Sequence, residues 1–121
     1  MNLVRIDHVQ LAMPAGEEER ARAFYRDTLG LPELTKPSHL AVRGGAWFES
    51  DVVKVHLGVD INFVAAKKAH PAFIVSDLAG LIERLEKGGY EVVDDEPLEG
   101  YSRVYVLDPF GNRLEFLEPS R

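Results

Sequence analysis

The sequence predicts an α+β fold built from two βαβββ modules, and two observations carry this prediction. The pattern of apolar residues gives the same order of elements in each half of the 121-residue chain: one strand, one helix and three strands. The spacing of two glycines and two candidate ligands also repeats. Gly30 and Gly89 each end a helical pattern, and 26 residues separate Gly30 from His56 and Gly89 from Glu115. The two halves are therefore predicted to be one structural unit used twice.

The repeat extends upstream to the start of each half. His8 lies 22 residues before the first of these glycines, and His70 lies 19 residues before the second. The loop MPAGEEE in the first half can absorb the difference of three residues. We expect a single domain in which the modules occupy about 1–65 and 66–121.

The first half contains each element of the module in order. Residues 4–13 alternate as a half-buried strand, with His8 and Gln10 on the same side. The acidic run EEE then begins a helix, which Gly30 ends. Three short strands follow, around PELTK, GAWFES and VVKVHLGVD, separated by turn residues. In the last of them His56 lies opposite the apolar face.

The second half repeats this order. HPAFIVS is a strand, Asp77 caps a helix, and the glycine pair after that helix ends it. Three strands follow, YEVVD, SRVYVLD and RLEFLE, the last two joined by the turn DPFGN. Alternation with a period of two places all four candidate ligands opposite the helix-packing residues, on one concave face: His8, His56, His70 and Glu115.

Composition excludes several functional classes. A net charge of −6 argues against a nucleic-acid surface, which needs clustered Lys and Arg. The amino terminus, MNLVRIDHVQLAMP, has no uninterrupted apolar core, so it fits neither a signal peptide nor a membrane span, and we expect a cytoplasmic protein. The chain has no cysteine, so any metal here must use nitrogen and oxygen ligands.

Three imidazoles and one carboxylate in register with a repeat predict a metal site. This ligand set suits a divalent transition metal, Zn, Ni, Fe or Mn, whereas Mg and Ca prefer all-oxygen shells. Apolar residues flank Glu115, which makes an unpaired carboxylate costly at that position. His39 lies outside the register, in the loop KPSHL, and is expected to be exposed.

These motifs resemble the vicinal oxygen chelate superfamily, which includes glyoxalase I, the extradiol dioxygenases and the fosfomycin and bleomycin resistance proteins. The resemblance runs from IDHVQLAM through FYRDTLGL to DPFGNRLEFLEP, and the last motif is the most specific. It implies paired βαβββ modules that form a curved mixed sheet around a metal cavity, a small-molecule substrate and a homodimer. By this likeness, four residues occupy the metal-ligand positions: His8, His56, His70 and Glu115.

The chain departs from glyoxalase I at His56, where that enzyme has a second glutamate. Glu115 is then the only carboxylate in the set and the candidate catalytic base. Four protein ligands on an octahedral ion leave about two open positions, which favours a glyoxalase-like lyase or isomerase that passes through a chelated enediolate. Without His56 as a ligand, two histidines and a carboxylate would favour an extradiol-type dioxygenase.

Two further alternatives come from other members of the superfamily. One is a binding protein without catalysis, as in the antibiotic-sequestering relatives, although these generally lack the metal quartet. The other is a thiol transferase of the fosfomycin type. Four residues are expected to shape a substrate pocket: Gln10, Trp47, Arg103 and Tyr105. Arg103 could hold a substrate carboxylate or pair with a neighbouring acid, and Tyr105 could pack or donate a hydrogen bond.

Overall fold

The computed structural model describes residues 1–120. The chain divides into two compact units, unit 1 (Met1–Phe63) and unit 2 (Val64–Arg121), so the division falls close to the predicted boundary between the modules. Within the described residues, no helix is long and apolar enough to span a bilayer.

Unit 1 is a four-stranded mixed sheet with helical segments. Its strands are β1 (Val9–Met13), β2 (Glu33–Leu34), β3 (Ala46–Glu49) and β4 (Lys54–Val59). Its helical segments are α1 (Glu18–Ala21), a π-helix (Arg22–Thr28) and α2 (Ser38–Ala41). The strand order is β1-β4-β3-β2, in which β1 and β4 are parallel and the other pairs are antiparallel.

The first strand is shorter than the predicted 4–13. It begins at Val9, which pairs with Val55 near the start of β4. Because β1 and β4 are parallel, residues before Val9 lie beyond the start of β4 and have no strand partner in this sheet, so His8 precedes the strand instead of lying on it. The prediction that His8 is a strand residue is therefore wrong, although its place next to β1 is correct.

The predicted first helix is a short α-helical turn followed by a π-helix. The wide turns of the π-helix carry hydrogen bonds such as Leu29 N–H to the Phe24 carbonyl at 2.9 Å. Phe24 and Tyr25 are fully buried although they are adjacent in sequence, and Tyr25 stacks on Phe48 of β3 with 5.6 Å between ring centroids. These rings form the apolar contact between the π-helix and the sheet. Gly30 ends the segment with a φ of 79°, as predicted.

Unit 2 has the same topology. Its elements are β5 (Ala72–Ile74), α3 (Leu78–Lys87), β6 (Val92–Asp94), β7 (Tyr101–Leu107) and β8 (Arg113–Pro119). The strand order is β5-β8-β7-β6, again with one parallel pair, β5 and β8. The shared order confirms the α+β fold and the repeated βαβββ module.

Local signals position the elements of unit 2 as predicted. The carboxylate of Asp77 accepts a hydrogen bond from the backbone N–H of Gly80 at 3.0 Å and so caps α3. On β8, Leu114 and Phe116 are buried on one face, and Glu115 therefore points to the opposite face. That face carries the candidate site residues of this unit.

Candidate functional site

In unit 1, the candidate residues form a column of stacked rings. His56 of β4 lies opposite Trp47 of β3 and Gln10 of β1, so the three side chains share one face of the sheet. The rings of Trp47 and His56 stack with 4.4 Å between centroids and 11° between planes. His8 stacks on His56 at 4.2 Å and 21°. The two predicted ligands of this unit are therefore neighbours.

A carboxylate holds each imidazole of the column. Nδ1 of His8 lies 2.9 Å from the Asp7 carboxylate, and Nε2 of His56 lies 2.7 Å from the Glu49 carboxylate. The hydrogen bond to His8 and the positive charge of Lys54, 3.7 Å away, lower the pKa of Asp7. The remaining ring nitrogens, Nε2 of His8 and Nδ1 of His56, are the atoms that could bind a metal.

In unit 2, the candidate residues are a histidine and a glutamate in contact. The prediction that His70 lies on the strand HPAFIVS is wrong, because β5 begins at Ala72 and His70 precedes it. Glu115 pairs in the sheet with Ala72. Nδ1 of His70 lies 2.8 Å from the carbonyl oxygen of Lys68, to which it can only donate. Nε2 of His70 faces Oε1 of Glu115 at 3.0 Å. In a neutral imidazole this Nε2 carries a lone pair, and so does the carboxylate oxygen opposite it.

Arg103 holds the other oxygen of Glu115. Its guanidinium lies 3.4 Å from Oε2 of Glu115 and 2.8 Å from the Asp95 carboxylate, and it donates twice to the Glu96 carbonyl at 3.0 and 2.9 Å. Of the two expectations for Arg103, this geometry corresponds to pairing with neighbouring acids. Its side chain is 19% exposed, and most of its donors are already used.

Tyr105 lies between a proposed ligand and an arginine. Its ring meets His70 edge-on at 5.1 Å and 87°, and the guanidinium of Arg113 lies 4.8 Å from its centroid. Partial burial and the hydrogen bond to Asp95 raise the pKa of the Tyr105 hydroxyl. Tyr105 therefore combines the two expected roles, packing and donation, and its donation goes to a side chain of the same unit.

The Asp95 carboxylate joins Arg103 and Tyr105. Burial alone would raise its pKa, but the hydrogen bonds from the Glu96 backbone and the Tyr105 hydroxyl, together with the charge of Arg103, lower it. Asp95 is therefore an anion that fixes both neighbours in place.

Sequence reasoning missed three acidic residues of these two groups: Asp7, Glu49 and Asp95. A usable signal existed for Glu49, because alternation along GAWFES places it on the same face as Trp47. No periodic signal was available for Asp95, which follows the end of β6. His39 lies in α2 and is exposed, as expected, although it belongs to a helical turn and not to a loop.

The donor atoms fit a divalent transition metal, but each unit carries only a pair of proposed ligands. Within residues 1–120, no three histidine, aspartate or glutamate side chains are grouped as a metal site. The 3.0 Å between His70 Nε2 and Glu115 Oε1 is close to the separation of two adjacent ligands that each lie ~2.1 Å from one ion. The carbonyl at His70 Nδ1 is the usual outer partner of a metal-bound imidazole.

Comparison with known proteins finds a family and several solved structures that are similar to this chain. The sequence model of the "Glyoxalase/Bleomycin resistance protein/Dioxygenase superfamily" matches residues 5–116. A crystal structure of a protein from Bacillus anthracis assigned to the glyoxalase family is 49% identical, covers 99% of each chain and has a TM-score of 0.92. No curated protein matches at a comparable level of significance.

Two more distant structures share the fold. The fosfomycin resistance protein FosX from Listeria monocytogenes is 15% identical over 98% of this chain and 96% of its own, with a TM-score of 0.78. TnmS3, an antibiotic binding protein from Streptomyces sp. CB03234, is 21% identical over 98% of this chain and 100% of its own, with a TM-score of 0.72.

Proposed function

Because this chain belongs to the Glyoxalase/Bleomycin resistance protein/Dioxygenase superfamily, we propose that it is a metal-dependent lyase or isomerase of the glyoxalase type that acts on a small molecule. The observation that carries the proposal is the pair formed by His70 and Glu115. The Lys68 carbonyl takes the Nδ1 proton of His70, so in the neutral ring Nε2 has no proton to give to the carboxylate 3.0 Å away. Two lone pairs at this distance repel each other unless a cation lies against both or the imidazole is charged.

The proposed ligands are the pair in unit 1 and the pair in unit 2: His8, His56, His70 and Glu115. A four-ligand centre needs both pairs, which one chain or the two chains of a homodimer could supply. The proposal includes a homodimer because members of the superfamily often form dimers. The ion would be Zn, Ni, Fe or Mn, in a cytoplasmic protein. When bound, such an ion polarises the carbonyl oxygens of a substrate and so acidifies the adjacent C–H bond.

The residues of the chain supply proton transfer and orientation. Glu115 takes the proton from the hydroxyl-bearing carbon of the substrate and returns it to the neighbouring carbonyl carbon. The hydroxyl proton moves to the oxygen of that neighbouring carbon, so no net proton is gained or lost. Arg103 contacts Oε2 of Glu115 and leaves Oε1 on the side of His70. Asp7 and Glu49 hold the two imidazoles of unit 1. Gln10 and Trp47, on the same face as His56, shape the substrate pocket.

One observation favours a second candidate, an extradiol-type dioxygenase. Nε2 of His56 is already bonded to Glu49, and His56 is pressed between two rings, so the ring can reach an ion only through Nδ1. Without a bond from Nδ1 of His56 to the ion, the ligands are two histidines and one carboxylate, which is the ligand set of the non-haem iron oxygenases.

Metal analysis of variants tests both candidates. Protein purified without chelator is analysed for Zn, Ni, Fe and Mn, and affinity for Zn²⁺ and Ni²⁺ is measured by calorimetry after chelation. We expect near-stoichiometric metal in the wild type and at least about a tenfold loss of affinity in His70→Ala and Glu115→Gln. His39→Ala is the matched control, because this exposed histidine lies outside both pairs.

The outcome for His56→Ala separates the two candidates. Loss of affinity supports four ligands and the lyase or isomerase, and hemithioacetals of 2-oxoaldehydes are then the first substrates to assay. Unchanged affinity supports three ligands and the extradiol-type dioxygenase, and catechols with dioxygen are then the first substrates to assay. A wild-type protein that binds no transition metal would contradict both candidates.

A further inference from the structure

Unit 1 contains a cleft beside the column of rings. Its volume is about 270 Å³, which suits part of a small organic molecule. We refer to it as the Trp47 cleft. The residues that line it include Gln10, Lys36, Arg43, Trp47 and Gly58.

A glycine opens the floor of the cleft. Gly58 follows His56 by two residues on β4, so both face the same side of the sheet. A Cβ at Gly58 would lie 2.6 Å from Nε2 of Gln10, so any side chain there would displace the Gln10 amide. The absence of that side chain lets the amide lie over the strand and line the cleft as a hydrogen-bonding group.

Two cations border the cleft, and neither has a carboxylate partner within residues 1–120. The ammonium of Lys36 donates to the Gly44 carbonyl and lies 5.9 Å from the ring centroid of Trp47, which leaves further N–H donors. The Arg43 guanidinium makes no ion pair or side-chain hydrogen bond with the described residues. Glu18 reaches this loop, but its carboxylate contacts the backbone N–H of Gly45 at 3.5 Å.

The charge of this cleft contrasts with the net negative charge of the chain as a whole. The chain has 20 acidic and 14 basic residues, and four other arginines lie against carboxylates: Arg20, Arg22, Arg26 and Arg103. Among residues 1–120, no acidic residue lines the Trp47 cleft. A pair of cations left without acids beside an aromatic ring and an amide is a site for an organic anion.

From this arrangement we propose that the Trp47 cleft binds the carboxylate end of the substrate, so that the substrate is a small organic acid. The ring of Trp47 lines the cleft and stacks on His56 with 4.4 Å between centroids, so the cleft adjoins the imidazoles of unit 1. Lys36 and Arg43 hold the carboxylate, and Gln10 donates to a neutral oxygen. The identity of this ligand as substrate rests on the proposed function, whereas the anion site itself lies wholly within unit 1.

Trp47 is the only tryptophan of the chain, so its fluorescence reports on this cleft directly. Protein treated with chelator is titrated with benzoate and with benzamide, a neutral molecule of the same shape, and calorimetry repeats both titrations. We expect saturable benzoate binding and at least about tenfold weaker benzamide binding, because charge-assisted hydrogen bonds are lost. Lys36→Met and Arg43→Met should each weaken benzoate about tenfold, and Lys87→Met, on α3 of unit 2, should not change it.

The outcomes separate this proposal from the metal centre. Equal affinity for benzoate and benzamide, or benzoate binding that both methionine variants retain, would overturn the anion site. Inorganic phosphate that displaces benzoate at lower concentration than acetate does would overturn the choice of a carboxylate. Benzoate binding by a protein that takes up no metal supports the cleft while the proposed function fails. Metal uptake without benzoate binding would support the proposed metal centre and overturn the proposed anion site in the Trp47 cleft.

Discussion

Glu49 accepts a hydrogen bond from Nε2 of His56 at 2.7 Å, between neighbouring strands of unit 1. Both side chains are largely buried, with 17% of Glu49 and 9% of His56 exposed. Because Nε2 carries the shared proton, Nδ1 is the nitrogen of His56 that could bind a metal ion. At His8 the contact is with the other ring nitrogen, because Asp7 contacts Nδ1. The two stacked imidazoles therefore present different ring nitrogens.

This bond predicts that Glu49 positions His56. In Glu49→Ala the ring loses this carboxylate partner, so we expect metal affinity to fall about tenfold or more. Glu49→Gln keeps an oxygen that can accept the Nε2 proton, so its loss should be smaller. Calorimetry with Zn²⁺ measures both. The Nε2–H proton of His56 provides a readout without metal: its NMR resonance should lie downfield in the wild type, persist in the glutamine variant and vanish in the alanine variant.

His56→Ala assigns that resonance, and His39→Ala is the control that should leave it unchanged. If Glu49→Ala retains both the resonance and the wild-type affinity, Glu49 does not position the ring. If Glu49→Gln loses as much affinity as Glu49→Ala while the resonance persists, the carboxylate itself is a ligand.

Arg103 is predicted to stabilise unit 2 as well as to position Glu115. It lies between the carboxylates of Asp95 and Glu115, both of which are largely buried. Without the positive charge of Arg103, the two carboxylates would lack this compensation. We expect Arg103→Met to lower the free energy of unfolding by about 1–3 kcal/mol, measured by urea denaturation.

The matched control for Arg103 is Arg43→Met. This arginine is exposed and has no carboxylate partner within residues 1–120, so its loss should change stability by less than about 0.5 kcal/mol. Equal effects of the two substitutions would show that the charge of Arg103 contributes nothing specific. Arg103→Lys should recover only part of the loss, because an ammonium cannot make the forked contacts of the guanidinium.

The elements of the fold were predictable because their signals are local. The apolar periodicity, the Asp77 cap and the glycines at helix ends each act within a few residues, and all of them hold in the structure. The limits of the first strand were not predictable in this way. Whether residues before Val9 pair with another strand depends on where β4 begins, and that is a long-range relationship.

The site was predictable to the extent that it follows the repeat. Alternation predicted that His56 and Glu115 lie opposite the buried apolar residues next to them on their strands, and the structure has them there, since this depends only on spacing along a strand. The partners of these residues depend on cross-strand neighbours and on loops. Glu49 required the register between β3 and β4, and the contact of the Lys68 carbonyl with His70 required the path of a loop.

Two glycines with the same backbone conformation differ in their surroundings. Gly30 has a φ of 79° and Gly45 a φ of 81°, a region that side chains rarely adopt. A Cβ at Gly30 would meet nothing within 4 Å, but a Cβ at Gly45 would lie 2.1 Å from the carbonyl oxygen of Leu57 on β4. The comparison separates backbone strain from a steric clash at the strand that carries His56.

We expect Gly30→Ala to lower the free energy of unfolding by about 1–2 kcal/mol, the cost of the left-handed conformation alone. Gly45→Ala adds a clash with main-chain atoms that cannot rotate away, so it should cost at least about 2 kcal/mol more. Urea denaturation of both variants measures the difference. The shift of β4 should also move Trp47 and change its fluorescence in Gly45→Ala only. Equal destabilisation with unchanged fluorescence would mean that the loop before β3 does not press against Leu57 as described.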